Sequence, residues 1–166
     1  MSGGVLVAGI GNIFRSDDGF GCGVARLLAE QPLPEHVTVT DYGIRGMHLA
    51  YDLLDGYDGL VIVDALARGG APGDIVVLQV GAGDLSSGDF DAHGMEPTAV
   101  LASLGRLGGS LPTTYVVGCE PSSVDEAMGL SAPVAAAVPR AVETVVRLVH
   151  DELAPHHLSR EKESAT

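Results

Sequence analysis

The run Val5–Ile10, VLVAGI, constrains this chain more than any other segment. Six apolar residues without alternation suit a strand buried on both faces. Such a strand lies inside a parallel sheet with helices on either side, so strands and helices must alternate along the chain. They do. A helix is expected to about Glu30, with Val24, Leu27 and Leu28 inward, and Pro32 and Pro34 then break the chain. Val37–Thr40 alternates as a second strand and ends at Asp41, Tyr42 and Gly43. Residues 46–54 form a short helix, and Leu60–Val63 is the third strand, ending in Asp64. The next strand, residues 75–80, follows after a glycine-rich link of about ten residues, too short for a parallel crossover. It is therefore expected to run antiparallel to its predecessor. Residues 81–94 read as loop, 96–107 as helix and 114–120 as a fifth strand. Residues 133–153 form the last helix, on a stripe of Val134, Val138, Val142, Val145 and Val149. Pro139 inside it predicts a late start or a kink. The fold expected is α/β: a three-layer α/β/α sandwich around a mostly parallel, five-stranded mixed sheet. A single domain over 1–154 and a polar, frayed tail over 155–166 complete the outline.

Composition narrows the function. With 9 basic and 22 acidic residues the net charge is −13, and no arginine stripe offsets it. Such a chain repels phosphate backbones, so nucleic acid is not an expected partner. Cys22 and Cys119 lack metal-ligand spacing and read as reduced, buried side chains. No basic n-region precedes the first apolar run, and no apolar stretch reaches about 18 residues. Neither a signal peptide nor a membrane span is expected, and the cytoplasm is the expected compartment.

In parallel sheets function gathers at the carboxyl ends of the strands. That rule selects Asn12, Asp17 and Asp18 after strand one, Asp41 after strand two, Asp64 after strand three and Glu120 after strand five. Gly9 and Gly11 begin a dinucleotide fingerprint, but Phe14 stands where its third glycine belongs. Asp17 and Asp18 also enter the helix start, where a pyrophosphate needs unopposed amides. Two charges about 4 Å apart interact by roughly 4 kcal/mol at an effective dielectric of about 20. A dinucleotide-dependent oxidoreductase is therefore disfavoured. Asp17 or Asp18 can cap the helix, and Asp17→Ala is then expected to cost about 1 kcal/mol. One of that pair, with Asp64 and the loop residue His93, makes an open site for a borderline divalent cation.

The segment Gly9–Gly21, GIGNIFRSDDGFG, strongly resembles the opening of the hydrogenase maturation endopeptidases. The likeness continues through 41–47 (DYGIRGM), 61–65 (VIVDA), 71–73 (APG), His93, 118–121 (GCEP) and 129–131 (GLS), covering nearly the whole chain in order. It implies an α/β sandwich of the phosphorylase/hydrolase-like kind. It also implies an endopeptidase that removes a C-terminal extension from the large-subunit precursor of a nickel–iron hydrogenase. By the same resemblance the metal-recognising residues are Asp18, Asp64 and His93, and Asp41 is the catalytic candidate. Nickel is expected as cargo of the precursor, although other divalent cations suit the same ligands, and the enzyme is expected to be a monomer. The chain departs from the family pattern at Tyr42 and Ile44, where Gly and Thr are common. Arg45 is open between a peptide contact and a solvated loop charge. Whether the metal polarises the scissile carbonyl, activates water or only reports loading is left open by the sequence. So is the rival role of a non-catalytic, nickel-sensing chaperone.

Overall fold

A computed structural model describes residues 4–81 and 95–153. Strand β1 (Val5–Ile10) is buried along its whole length. A short 3₁₀ turn (Ser16–Gly19) leads into α1 (Phe20–Ala29). Then come β2 (Val37–Gly43), α2 (Gly46–Leu53), β3 (Gly59–Ala65), β4 (Ile75–Val80), α3 (Met95–Arg106), β5 (Thr113–Cys119) and α4 (Ala132–Asp151). The five strands form one sheet in the order β2-β1-β3-β5-β4. All neighbours are parallel except β4 and β5.

The pleat explains the three layers. Val5, Val7, Val61, Val63 and Val117 face one side and pack with Phe20, Val24 and Leu28 of α1 and Val134, Ala141 and Val145 of α4. Leu6, Ala8, Ile10, Leu60, Ile62 and Val116 face the other side. They pack with Leu49, Ala50 and Leu53 of α2 and Leu101 and Leu104 of α3. Successive residues of one strand thus feed different cores, which is why β1 and β3 read as unbroken apolar runs.

Three expectations change in detail. β4 runs opposite to β3, but its ladder is with β5 at the sheet edge. α4 begins at Ala132 with Pro133 in its first turn, so Pro139 does not delay it; the helix continues through that exposed proline. Neither Asp17 nor Asp18 caps α1, whose N-cap position is Gly19 with no side-chain hydrogen bond. His93 and the tail 155–166 lie outside the described residues.

Candidate active site

The strand order creates the site. The chain leaves β1 toward β2 at one edge, then crosses back to β3 on the other side of β1. Between the carboxyl ends of β1 and β3 the connections diverge, and a crevice opens. Gly11 lies at its floor with φ 138°, a backbone conformation that disfavours a side chain. Its N–H donates to Gly43 O at 2.9 Å, joining the turns after β1 and β2. A β-carbon added to Gly11 would lie 1.9 Å from the main-chain oxygen of Asp18 and 3.5 Å from Asp64 Oδ1. The main chain of Asp18, in the 3₁₀ turn, and the side chain of Asp64, on β3, therefore both lie against the same glycine.

Each carboxylate has a local anchor. Asp18 Oδ2 accepts the Asn12 N–H at 2.9 Å, and Asn12 Oδ1 accepts the Phe14 N–H at 2.9 Å. Asp64 is only 5% exposed, and its Oδ1 accepts the Ala65 N–H at 2.8 Å. Among the described residues no group of three His, Cys, Asp or Glu gathers into a metal set. Of the three expected ligands, Asp18 and Asp64 both border Gly11, Asp18 through its main-chain oxygen and Asp64 through its carboxylate, and His93 falls outside the described residues. Two carboxylates are a hard oxygen pair suited to a divalent cation, and a borderline ion calls for a nitrogen donor as well.

Beside the crevice is a cleft of about 410 Å³, lined among others by Asn12, Phe14, Arg26, Asp41, Ile44 and Arg45. Asp41 Oδ2 is 3.5 Å from Arg26 Nε, and its Oδ1 accepts the Gly43 N–H at 3.1 Å. Arg45 curls onto its own turn, donating from Nε to Tyr42 O and from a terminal nitrogen to Asp41 O. The two departures from the family pattern separate in space. Tyr42 is buried and donates its hydroxyl to Asp52 Oδ2 at 2.6 Å, tying β2 to α2. Ile44 is 72% exposed at the cleft mouth.

The remaining polar groups are structural. Burial, then the neighbouring Asp41, pushes the Cys22 thiol up to about 12. Burial first, with Asp17 adding, pushes Cys119 up to about 11. Neither is a nucleophile near neutral pH. Glu120 accepts the Arg68 and Gly70 amides at 2.8 Å each, stapling the β3–β4 loop. Asp17 is fully buried, and its carboxylate accepts the Ser122, Ser123 and Ser131 amides and the Ser131 hydroxyl. Sequence reasoning missed this role, and Arg26 with it. The partners of Asp17 lie 105 to 114 residues away, so no local spacing announces them.

Comparison with known proteins gives one answer. The family model described as hydrogenase maturation protease (HycI) matches residues 22–148. The hydrogenase 2 maturation protease of Escherichia coli K12 is 31% identical over 153 residues, covering 89% of this chain and 91% of that protein. The hydrogenase expression/formation protein HupD of Rhizobium leguminosarum is 31% identical over 149 residues, covering 87% of this chain and 73% of HupD. The solved structure of the hydrogenase maturating endopeptidase HybD from E. coli superimposes with a TM-score of 0.77 at 28% identity, covering 90% of this chain and 93% of that one.

Proposed function

This chain belongs to the hydrogenase maturation protease family, and from that premise we propose that it removes a C-terminal extension from the nickel-loaded large-subunit precursor of a nickel–iron hydrogenase. Membership makes it a hydrolase of the endopeptidase kind. One observation supports the rest: the Asp64 carboxylate lies against Gly11 and the Asp18 carboxylate accepts the N–H of the next residue, Asn12, at the switch point of the sheet, with Asp41 in the adjoining cleft.

In this reading nickel arrives as cargo of the precursor. Asp18, Asp64 and His93 supply the ligands that the precursor's own groups leave open, and a loaded metal can serve as a docking check or polarise a carbonyl. The chain's residues do the remaining work. The cleft takes the extended segment around the scissile bond. The main-chain N–H of Gly43 and the Arg26 guanidinium hold the Asp41 carboxylate toward it. There Asp41 either accepts a proton from the water that attacks the scissile carbonyl and returns it to the leaving amine, or accepts a hydrogen bond from a peptide N–H of the segment and so positions it. Phe14 and Ile44, 62% and 72% exposed, give the rim an apolar grip. No helix among the described residues is long and apolar enough to cross a membrane. We place the reaction in the cytoplasm, by a monomer.

The test is incubation with nickel-loaded precursor, read by mass spectrometry of the large subunit. Wild type is expected to shorten it at one site. Asp18→Ala, Asp64→Ala and His93→Ala are each expected to abolish shortening while circular dichroism stays native. Asp41→Asn is expected to keep precursor binding and slow cleavage by about 100-fold or more. Unimpaired cleavage by all three ligand variants sinks the metal-recognition claim. Tight binding without cleavage by wild type makes the protein a nickel-sensing chaperone instead.

A further inference from the structure

We infer that Asp17 is the positioning residue for Asp18, acting by clamping residues 122–131 of the β5–α4 loop onto the turn that carries both. The inference rests on the assignment of Asp18 as a metal-recognising carboxylate proposed above.

The two residues are adjacent, yet the 3₁₀ turn sends them to different surroundings. Asp18 is part-exposed at the crevice, whereas Asp17 is 0% exposed. Both oxygens of Asp17 are engaged by donors of one loop. Oδ2 accepts Ser122 N at 2.7 Å, Ser123 N at 3.1 Å and Ser131 Oγ at 2.8 Å, while Oδ1 accepts Ser131 N at 2.7 Å. Among the described residues, four donors bond this side chain. Only a carboxylate answers that set, because an amide brings an NH₂ that would confront donors.

The main chain repeats the attachment. Ala127 N donates to Phe14 O at 3.0 Å, Ser16 N to Ala127 O at 2.9 Å and Asp17 N to Ser123 O at 3.0 Å. Ser16 has φ 51°, the lone positive value at a non-glycine among the described residues. That conformation is costly for a residue with a β-carbon. It is held from the same loop, since Ser16 Oγ also donates to Asp125 O at 2.8 Å. The turn also has bonds of its own: Arg15 N to Asn12 O at 3.0 Å, Asp18 N to Arg15 O at 3.1 Å, Asn12 N to Asp18 Oδ2 at 2.9 Å, Phe14 N to Asn12 Oδ1 at 2.9 Å and Phe20 N to Asp17 O, but none of these reaches the Ser16 side chain or the Asp17 carboxylate. The loop is the splint and Asp17 its fastening. Without it the turn can leave its strained form, and the Asp18 carboxylate leaves the Asn12 amide.

The experiment uses the full chain carrying Asp17→Asn, without metal and then titrated with Ni²⁺ alone. Amide hydrogen exchange read by NMR reports Asp18 directly, because the Asn12 N–H donates to its carboxylate. The Asn12 amide is expected to lose protection by at least about tenfold relative to the β3 amides of Leu60–Val63. Ni²⁺ affinity is expected to fall by about tenfold or more, as for lost support around a metal ligand. Asp17→Asn added to Asp18→Asn should weaken Ni²⁺ binding no further, since both changes act on one carboxylate. If Asp17→Asn does not fold, Ser131→Ala, which removes one hydroxyl donor, must show the same pattern at smaller size. Unchanged relative protection of Asn12, or additive losses in the double variant, overturns the inference. A wild type that binds no Ni²⁺ overturns the metal assignment instead, and the Asn12 exchange then still decides whether Asp17 places Asp18.

Discussion

Neighbouring aspartates with the same chemistry do opposite work here because their surroundings differ. Burial raises the pKa of Asp17, but the hydrogen bonds from Ser131, Ser122 and Ser123 outweigh it, leaving the carboxyl below its ordinary 3.8. A depressed folded-state value adds stability that is present above the unfolded-chain pKa and is lost as pH falls through the folded one. Asp17→Asn should therefore flatten the acid limb of a stability-against-pH profile. Asp17→Ala should cost about 3 kcal/mol or more in urea unfolding, since buried donors lose their acceptor. The figure for a helix cap was about 1 kcal/mol, and a measured loss that small would restore the capping role. The thiols make a second residue-scale prediction. Held at about 12 and about 11, Cys22 and Cys119 stay protonated at pH 7.5. Iodoacetamide should label neither in the folded protein and both in urea, with cleavage unaffected. Labelling of native Cys22 at the free-thiol rate contradicts this.

At the scale of elements, the junction of β1 and α1 shows how a fingerprint can fail and its geometry survive. Phe14 occupies the third glycine position of the dinucleotide pattern, yet helix and sheet still approach closely. The approach is made by Gly9 and Gly21. A β-carbon on Gly9 would lie 2.3 Å from Gly21 O, and one on Gly21 would lie 2.1 Å from Val63 O and 2.5 Å from Ile10 O. These obstacles are backbone, so Gly21→Ala must push α1 off the sheet, at a cost of about 3 kcal/mol. Two positions on, a β-carbon at Gly23 would meet only Leu130 Cδ1 at 3.9 Å. Gly23→Ala should instead stabilise by up to about 1 kcal/mol through helix propensity. Opposite signs in thermal melts of the two variants are the expected outcome; equal signs would mean that α1 does not sit against β3 as described.

The whole molecule closes its core with its last described residue. Leu153 is 6% exposed and packs in the α1–α4 layer, and a β-carbon at Gly59 would lie 2.8 Å from its Cδ2. A chain ending at Leu153 is expected to melt within a few degrees of the full chain and to cleave the precursor. Removing Leu153 as well should cost about 2 kcal/mol. A large loss on removing only 154–166 would overturn the single-domain boundary near residue 154. Charge also acts at this scale. The chain carries −13, while the cleft beside Asp41 is lined by Arg26 and Arg45. Two positive side chains therefore line the cleft of an otherwise acidic molecule.

The layer order, the strand-end carboxylates and the family motifs could be read from the sequence because each is local. Burial on both faces is written in VLVAGI and LVIV, and a residue that ends a strand ends it whatever the rest of the chain does. Asp64 was singled out that way, and the Asp17–Asp18 pair by its place just after the first strand; the choice of Asp18 within the pair came from the family resemblance. What only the tertiary structure decided is long-range pairing: that β4 joins β5 and not β3, that Gly9 and Gly21 let α1 sit against the sheet, and that Asp17 reaches Ser122, Ser123 and Ser131. Such contacts have no periodicity, since each partner looks ordinary in its own segment. Their specificity exists only where the packed sheet brings distant donors, acceptors and backbones within a few ångströms of one another.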